Sequence, residues 1–243
     1  MRIAEQYCDV MRYRSECSDD LVVGRYSVLP YYKELEYDIP GRLVNSYQQH
    51  KWIADFEYYS ILKDFTFPSW TDEDFYRSDD GPFVLKGKTN SRKHQWNTHM
   101  FAENKDSALK LSSELYNDPL IGSQGVIYRR YIPLETFEEG LNGLNFTNEW
   151  RFFFYKRKIL AKGYYWSQAE KAEQYNAKVP DEAIRFASML AEVIACFVPF
   201  YVIDIAKTQS GEWIMVELND GQMSGLGMCN PHDLYKNISN EII

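Results

Sequence analysis

Close-set cysteines are missing from this sequence. The four present, Cys8, Cys17, Cys196 and Cys229, are spaced too widely for a zinc knuckle or a dithiol redox motif. They are expected to be reduced thiols in a cytosolic protein. Long apolar runs are missing as well, and no stretch approaches the roughly 20 residues that a membrane-spanning helix needs. Residues 1–10 carry charges and lack the apolar run of a secretory signal, so a cytoplasmic setting is expected and a membrane partner is not. There is no internal repeat and no low-complexity linker. Net positive charge is absent too: 27 Lys and Arg stand against 35 Asp and Glu, giving −8. That balance disfavours a broad nucleic-acid backbone surface but leaves room for a local basic cleft. What the chain does have is bulk. Its 243 residues are 45% hydrophobic and 16% aromatic, enough for one two-lobed domain or two small ones with a sizeable core.

Hydrophobic periodicity orders this material into mixed strands and helices. Residues 1–20 are charged and patternless. Residues 21–29 read as a strand and 31–41 as a loop. Residues 45–63 read as a helix with Trp52, Phe56, Tyr59 and Leu62 on one face. Pro68 and Thr71-Asp72-Glu73 mark a break and a capped short helix. Asp79-Asp80-Gly81-Pro82 is a turn and is taken as a domain boundary. A strand is expected at 83–86, a basic loop at 86–97, a helix at 102–116 and a strand at 125–132. A hairpin follows at 149–155 and 158–166. Pro180-Asp181-Glu182 opens a helix whose stripe is Ala183, Ala187, Leu190, Ala191 and Ile194. A second hairpin spans 201–225. This order implies an α+β or α/β protein with antiparallel hairpins.

That last hairpin, YVIDIAKTQSGEWIMVELNDGQMSG, is the most informative stretch. Strand side chains alternate, so Glu217 and Asn219 share one side while Val216 and Leu218 take the other. Asp204 sits in the apolar run 200–206, and Gln209-Ser210-Gly211 supplies the turn. Pairing the strands brings two carboxylates and an amide together, a hard-oxygen set suited to Mg²⁺ held with substrate phosphates. Acidic residues at strand ends more often face solvent. An isolated carboxylate within an apolar strand, however, calls for pairing or a cation.

Basic groups lie upstream. Lys86 and Lys88 flank Gly87, whose missing side chain lets backbone approach a ligand. Ser91, Arg92, Lys93 and His94 add donors, although a solvated basic loop would look the same. A Walker A loop is excluded, because five residues separate Gly81 from Gly87 where that motif has four. Lys86 also lacks the Lys-x-Asp-Gly context of a nucleotidyl-lysine. Arg129 and Arg130 point to opposite faces of one strand. Arg151 lies in an aromatic strand and is expensive to bury unpaired, with Glu149 on its face as a salt-bridge candidate. A guanidinium fork matches phosphate oxygens. Basic groups on three strands and an acidic trio on two more suit a polyphosphate bridged to protein through magnesium.

In this order the features resemble the ATP-grasp ligase superfamily, and more narrowly its small phage and bacterial clade marked by two arginines and a lysine, matched here to Arg129, Arg151 and Lys86. The resemblance spans residues 81–227, and Val216-Glu217-Leu218-Asn219-Asp220-Gly221 is its most specific part. It implies an α+β ATP-grasp fold in which two subdomains, 81–132 and 133–243, grip ATP, preceded by a small α/β domain at 1–80. It implies phosphate contacts from Lys86, Lys88, Ser91, Lys93, Arg129 and Arg151, with the loop 87–97 closing over the phosphates. Main chain near Arg130, Tyr131 and Ile132 would meet adenine. Asp204, Glu217 and Asn219 would hold one or two Mg²⁺, and Asp220, Gly221, Gln222 and Ser224 would meet substrate. Ser224 has no nucleophile-elbow context. A second lysine, common in relatives, is replaced here by Arg129, and no side chain specific for purine stands out. The implied chemistry is carboxylate activation through an acyl phosphate with ADP release, followed by attack of an amine or similar nucleophile, as in peptide or amino-acid ligation. A bacterial cell or phage-infected host is the implied setting. Two alternatives stay open. One is an end or modified-base ligase using Lys88, Arg92, Lys93 and a stacking Trp96. The other is a catalytically degenerate binding module.

Overall fold

The computed structural model describes residues 2–17, 21–25, 32–39, 41–119 and 121–243. In chain order, β1 (Leu21–Val22), α1 (Tyr32–Asp38), β2 (Arg42–Leu43), α2 (Tyr47–Ala54) and α3 (Tyr59–Leu62) lead into β3 (Ser69–Trp70) and β4 (Phe83–Gly87). Next come α4 (Trp96–His99), β5 (Phe101–Ala102), α5 (Lys105–Tyr116), β6 (Val126–Arg130), β7 (Thr136–Glu138) and β8 (Phe146–Thr147). The chain closes with β9 (Glu149–Tyr155), β10 (Lys158–Tyr164), α6 (Ala172–Asn176), α7 (Asp181–Ile194), β11 (Phe200–Lys207), β12 (Trp213–Asp220) and α8 (Pro231–Glu241). Among the described residues no helix is long and apolar enough to cross a membrane.

The chain divides into two compact units. The first comprises Met1–Ile53, Glu149–Ile205 and Glu217–Ile243. Its strands belong to a sheet of order β10-β9-β11-β12. Antiparallel β9 and β10 pair from Tyr155↔Lys158 to Trp150↔Tyr164. One sheet face buries Phe153, Ala161, Phe200 and Val202 against Leu234, Ile238 and Ile242 of the last helix region. By strand alternation Trp150, Phe152 and Phe154 occupy the opposite face, and they too are buried. There α7 packs on β9 with a stripe of alanines, Leu190 and Ile194. Arg151 shares the face of Phe153, and Asp204 that of Val202.

The second unit comprises Ala54–Asn148 and Ala206–Val216. Its sheet has order β3-β6-β4-β5. The register sets Lys86 opposite Ile127 and Val84 opposite Arg129. Phe83, Leu85, Val126 and Tyr128 pack with Ala108, Leu111 and Leu115 of α5. Alternation therefore places Lys86 and Arg129 together on the other face.

Most of the expected elements are present, with specific departures. Residues 31–41 hold a helix, α1, where a loop was expected; residues 31 and 40 lie outside those described. The described side chains of α1 are exposed, so no apolar stripe announced it. The strand expected over 21–29 is β1 alone, and residues 26–29 lie outside the described set. The single helix expected over 45–63 is broken into α2 and α3. Phe56 adopts φ 66 between them and stacks on Tyr59 at 5.0 Å. The left-handed region is costly for a bulky residue, so ring packing rather than local preference sets this break. The short helix after Thr71 is a single 3-10 turn at Phe75–Arg77, with Asp74 accepting from the Thr71 N–H at 2.7 Å. The helix expected from residue 102 starts at Lys105, where Asn104 caps it by accepting from the Ser107 N–H at 2.9 Å. The last helix, α8, lies outside the expected elements although its signals are present: Asn230 accepts from the His232 N–H, Pro231 fills the first turn, and Leu234 and Ile238 are buried four apart.

Candidate functional site

In the first unit the site is built on three neighbouring strands. Asp204 stands mid-strand on β11 among fully buried Val202, Ile203, Ile205 and Ala206. Its partner is Arg151 of adjacent β9: Nε donates to Oδ1 at 2.8 Å and Nη2 to Oδ2 at 2.7 Å. The expected ion-pair candidate for Arg151 was Glu149, two residues away on the same strand. The structure gives the cross-strand Asp204 instead, because only a neighbouring strand can meet a fork head-on. Arg151 Nη1 donates to the Gly225 carbonyl at 2.7 Å, and its guanidinium lies over the Tyr165 ring at 4.7 Å. Burial works against the Arg151 charge. The Asp204 carboxylate outweighs it, with Tyr165 and Glu217 adding, and the guanidinium is held above its ordinary range.

On β12, Glu217 and Asn219 share a side, as alternation requires. Asn219 Nδ2 donates to Glu217 Oε2 at 3.1 Å and lies 3.5 Å from Asp204 Oδ2. The amide thus joins the two carboxylates, and the three expected metal residues stand together. They hold two carboxylates rather than three; among the described residues no group of three or more His, Cys, Asp or Glu forms a metal cluster. Two carboxylates and an amide oxygen still offer hard donors of the kind Mg²⁺ takes while keeping waters and phosphates as further ligands.

The end of β12 and the segment after it turn inward. Asp220 Oδ1 accepts from Asn45 Nδ2 and from the Gln222 N–H, each at 2.8 Å, and Oδ2 lies 3.1 Å from His50 Nδ1. Gln222 Oε1 accepts from the Gly24 N–H at 3.0 Å. Ser224 Oγ donates to the Asp220 carbonyl at 2.8 Å, and Arg25 Nη1 donates to the Gly221 carbonyl. Arg25 was not singled out by its sequence context, and nothing local marks it: its role comes from a contact 196 residues away. Cys229 donates to the Arg151 carbonyl and is buried, which pushes its thiol up to about 12.

In the second unit Lys86 and Arg129 are both buried on the face away from α5. Arg129 Nη1 donates to the Val216 carbonyl at 2.5 Å, and its guanidinium lies over Phe67 at 5.2 Å. Among the described residues its Nε has no hydrogen-bond partner. Arg130, on the opposite face, pairs with Asp79 at 2.8 Å and lies over Phe83. The main-chain N–H groups of Arg130 and Tyr131 donate to the Pro68 and Pro82 carbonyls. The basic loop is tied down by Thr89, which donates from its hydroxyl to Gln124 at 2.7 Å, and by Arg92, forked on Asp118 at 2.6 and 2.7 Å. Lys88, Ser91 and Lys93 are partly exposed along it. Trp96 sits in a ring cluster with Phe101 and Tyr131.

These features lie within a known family. The chain belongs to the ATP-grasp domain, R2K clade family 3, whose model matches residues 75–238. Its fold is the α+β ATP-grasp fold. It is similar to D-cycloserine synthetase DcsG, with a TM-score of 0.57 at 12% identity over 98% of this chain and 91% of that one. It is also similar to a RimK domain ATP-grasp protein from Sphaerobacter thermophilus DSM 20745, with a TM-score of 0.55 at 16% identity over 91% and 80% of the two chains. No curated protein matches the sequence. Family membership supports an ATP-binding protein acting as an ATP-dependent ligase.

Proposed function

We propose that this protein is a Mg²⁺- and ATP-dependent ligase that joins a carboxylate to an amine or similar nucleophile through an acyl phosphate, releasing ADP. The observation that carries this reading is the Asp204, Glu217 and Asn219 set joined by one amide and adjoining the buried Arg151. Asp204, Glu217 and Asn219 would hold the cation, which supplies charge neutralisation on the phosphates. Lys86 and Arg129, with Lys88, Ser91 and Lys93, would contact phosphate oxygens. The unpartnered Nε of Arg129 supports an anionic ligand there. Adenine would meet main chain near residues 130–132, where the N–H groups of Arg130 and Tyr131 already donate to Pro68 and Pro82.

In the reaction, a carboxylate oxygen attacks the γ-phosphorus and the bond to the β–γ bridging oxygen breaks, so ADP leaves. The nucleophile then adds to the acyl carbon, loses its proton and expels phosphate. Arg151 is the candidate for stabilising the transferred phosphoryl group, since such chemistry rests on positioning and charge rather than on an enzyme nucleophile. The segment Asp220, Gly221, Gln222 and Ser224 would frame the substrate side, with Asp220 and Gln222 shaping it from within. The family match starts at residue 75, while residues 1–53 share one compact unit with 149–205 and 217–243. The nucleic-acid alternative gains nothing from Arg92, whose fork is closed on Asp118, or from Trp96, whose ring is packed.

The test is thermal stability with Mg²⁺ and a non-hydrolysable ATP analogue, wild type beside Glu217→Gln. Magnesium-dependent stabilisation that is lost in the folded variant is expected. A folded wild type that gains nothing would favour the degenerate module.

A further inference from the structure

The metal residues are arranged to hold an arginine. Both Asp204 oxygens accept guanidinium N–H groups, and the Asp204 side chain is only 1% exposed. The Arg151 fork is held from three sides: Asp204 in front, the Gly225 carbonyl beside it and the Tyr165 ring beneath. The Asn219 amide likewise presents its donor nitrogen to both carboxylates. A cation needs oxygen lone pairs, and here those of Asp204 face a positive group that fits them in a bidentate fork.

We propose that Asp204 is the positioning residue of Arg151, and that Arg151 and a divalent cation compete for its carboxylate. The inference rests on the magnesium–nucleotide reading above. When the cation is absent, Asp204 keeps the fork parked, and neither buried charge is left unpaired. When it binds, Asn219 turns its amide oxygen inward and the fork is released toward phosphoryl oxygens. The cation alone therefore binds weakly, because displacing Arg151 leaves a buried guanidinium without an anion. Nucleotide phosphates supply that anion, so cation and nucleotide strengthen each other's binding.

The test is titration with Mn²⁺ alone, followed by electron paramagnetic resonance, on wild type, Arg151→Gln, Asp204→Asn and the double variant. Arg151→Gln should bind Mn²⁺ at least tenfold more tightly than wild type, and the gain should vanish in the Asp204→Asn background. The opposite sign is expected with the nucleotide, since the same variant should bind the Mg²⁺–ATP analogue more weakly than wild type. An equal gain in both backgrounds would reveal general charge relief and overturn the competition, as would no gain at all. Arg151→Gln leaves Asp204 buried without its partner, so Arg151→Lys serves if the first variant does not fold. Lysine keeps the charge but loses the fork, and a several-fold gain with a Mn²⁺-dependent rise in melting temperature is expected. Should wild type be stabilised by Mg²⁺ and the analogue while Arg151 variants leave Mn²⁺ affinity unchanged, the competition alone fails. Should no form bind Mn²⁺ or the nucleotide, the metal–nucleotide reading fails with it.

Discussion

Replacing Asp220 with alanine separates a residue that contacts substrate from one that holds the fold. The carboxylate is almost fully buried and accepts from Asn45 and from the Gln222 N–H at 2.8 Å, with His50 Nδ1 at 3.1 Å. Hydrogen bonds to a charged acceptor are worth about 1.5–3 kcal/mol each, and a buried N–H left without a partner costs about 1–3 kcal/mol. Asn45 retains its bond to the Phe200 carbonyl at 2.6 Å, so its loss is partial. The contributions share one network and do not add fully, which puts the cost of Asp220→Ala at roughly 3–5 kcal/mol. With an m-value of about 2–3 kcal/mol per molar urea, the unfolding midpoint should fall by roughly 1–2 M. Urea unfolding followed by tryptophan fluorescence reads this directly. Asp220→Asn keeps one acceptor oxygen and should lose less. A midpoint unchanged within about 0.2 M in the alanine variant, together with lost turnover, would refute the structural role and return Asp220 to the substrate.

Gly163→Ala should destabilise by about 1–3 kcal/mol, because an added Cβ would stand 2.6 Å from main-chain atoms of Met228 and Cys229, opposite Arg151 on the paired strand; a melting temperature equal to wild type would show that the 228–229 segment yields freely. Alkali should weaken the fold. Burial raises Cys229 from 9.0 to about 12, and raises Tyr128 and Tyr201 also. Groups raised on folding contribute fully below their unfolded values and lose that contribution as pH climbs toward the folded ones. The urea midpoint should therefore stay level to about pH 9 and fall between about pH 9 and 12. A midpoint that is flat across that interval, while tyrosinate absorbance rises, would count against these burials.

Local sequence carried far in some places. The helix α7 follows from a stripe of small and apolar residues at helical spacing, and all five expected positions are buried. The second hairpin follows from its Gln209-Ser210-Gly211 turn, and alternation alone puts Glu217 beside Asn219. The order of lysine, arginine and acidic strands was enough to suggest the family. Other features leave no local trace. Phe56 breaks a helix because of the rings it meets, not because of its own preference. The described side chains of α1 are exposed and gave no stripe to read.

Sequence by itself determined the side chains available to the site and the strand face on which each one stands, because the two-residue period of a strand is fixed by backbone geometry. Only the tertiary structure decided the partners. Strand order β10-β9-β11-β12 sets Arg151 beside Asp204, which lies 53 residues away, rather than Glu149, which lies two away. The closing of the chain turns Asp220 and Gln222 onto Asn45, His50 and Gly24, nearly two hundred residues earlier for Gln222. Which oxygen meets which nitrogen depends on strand neighbours and chain closure, and those are properties of the packed molecule rather than of any local pattern.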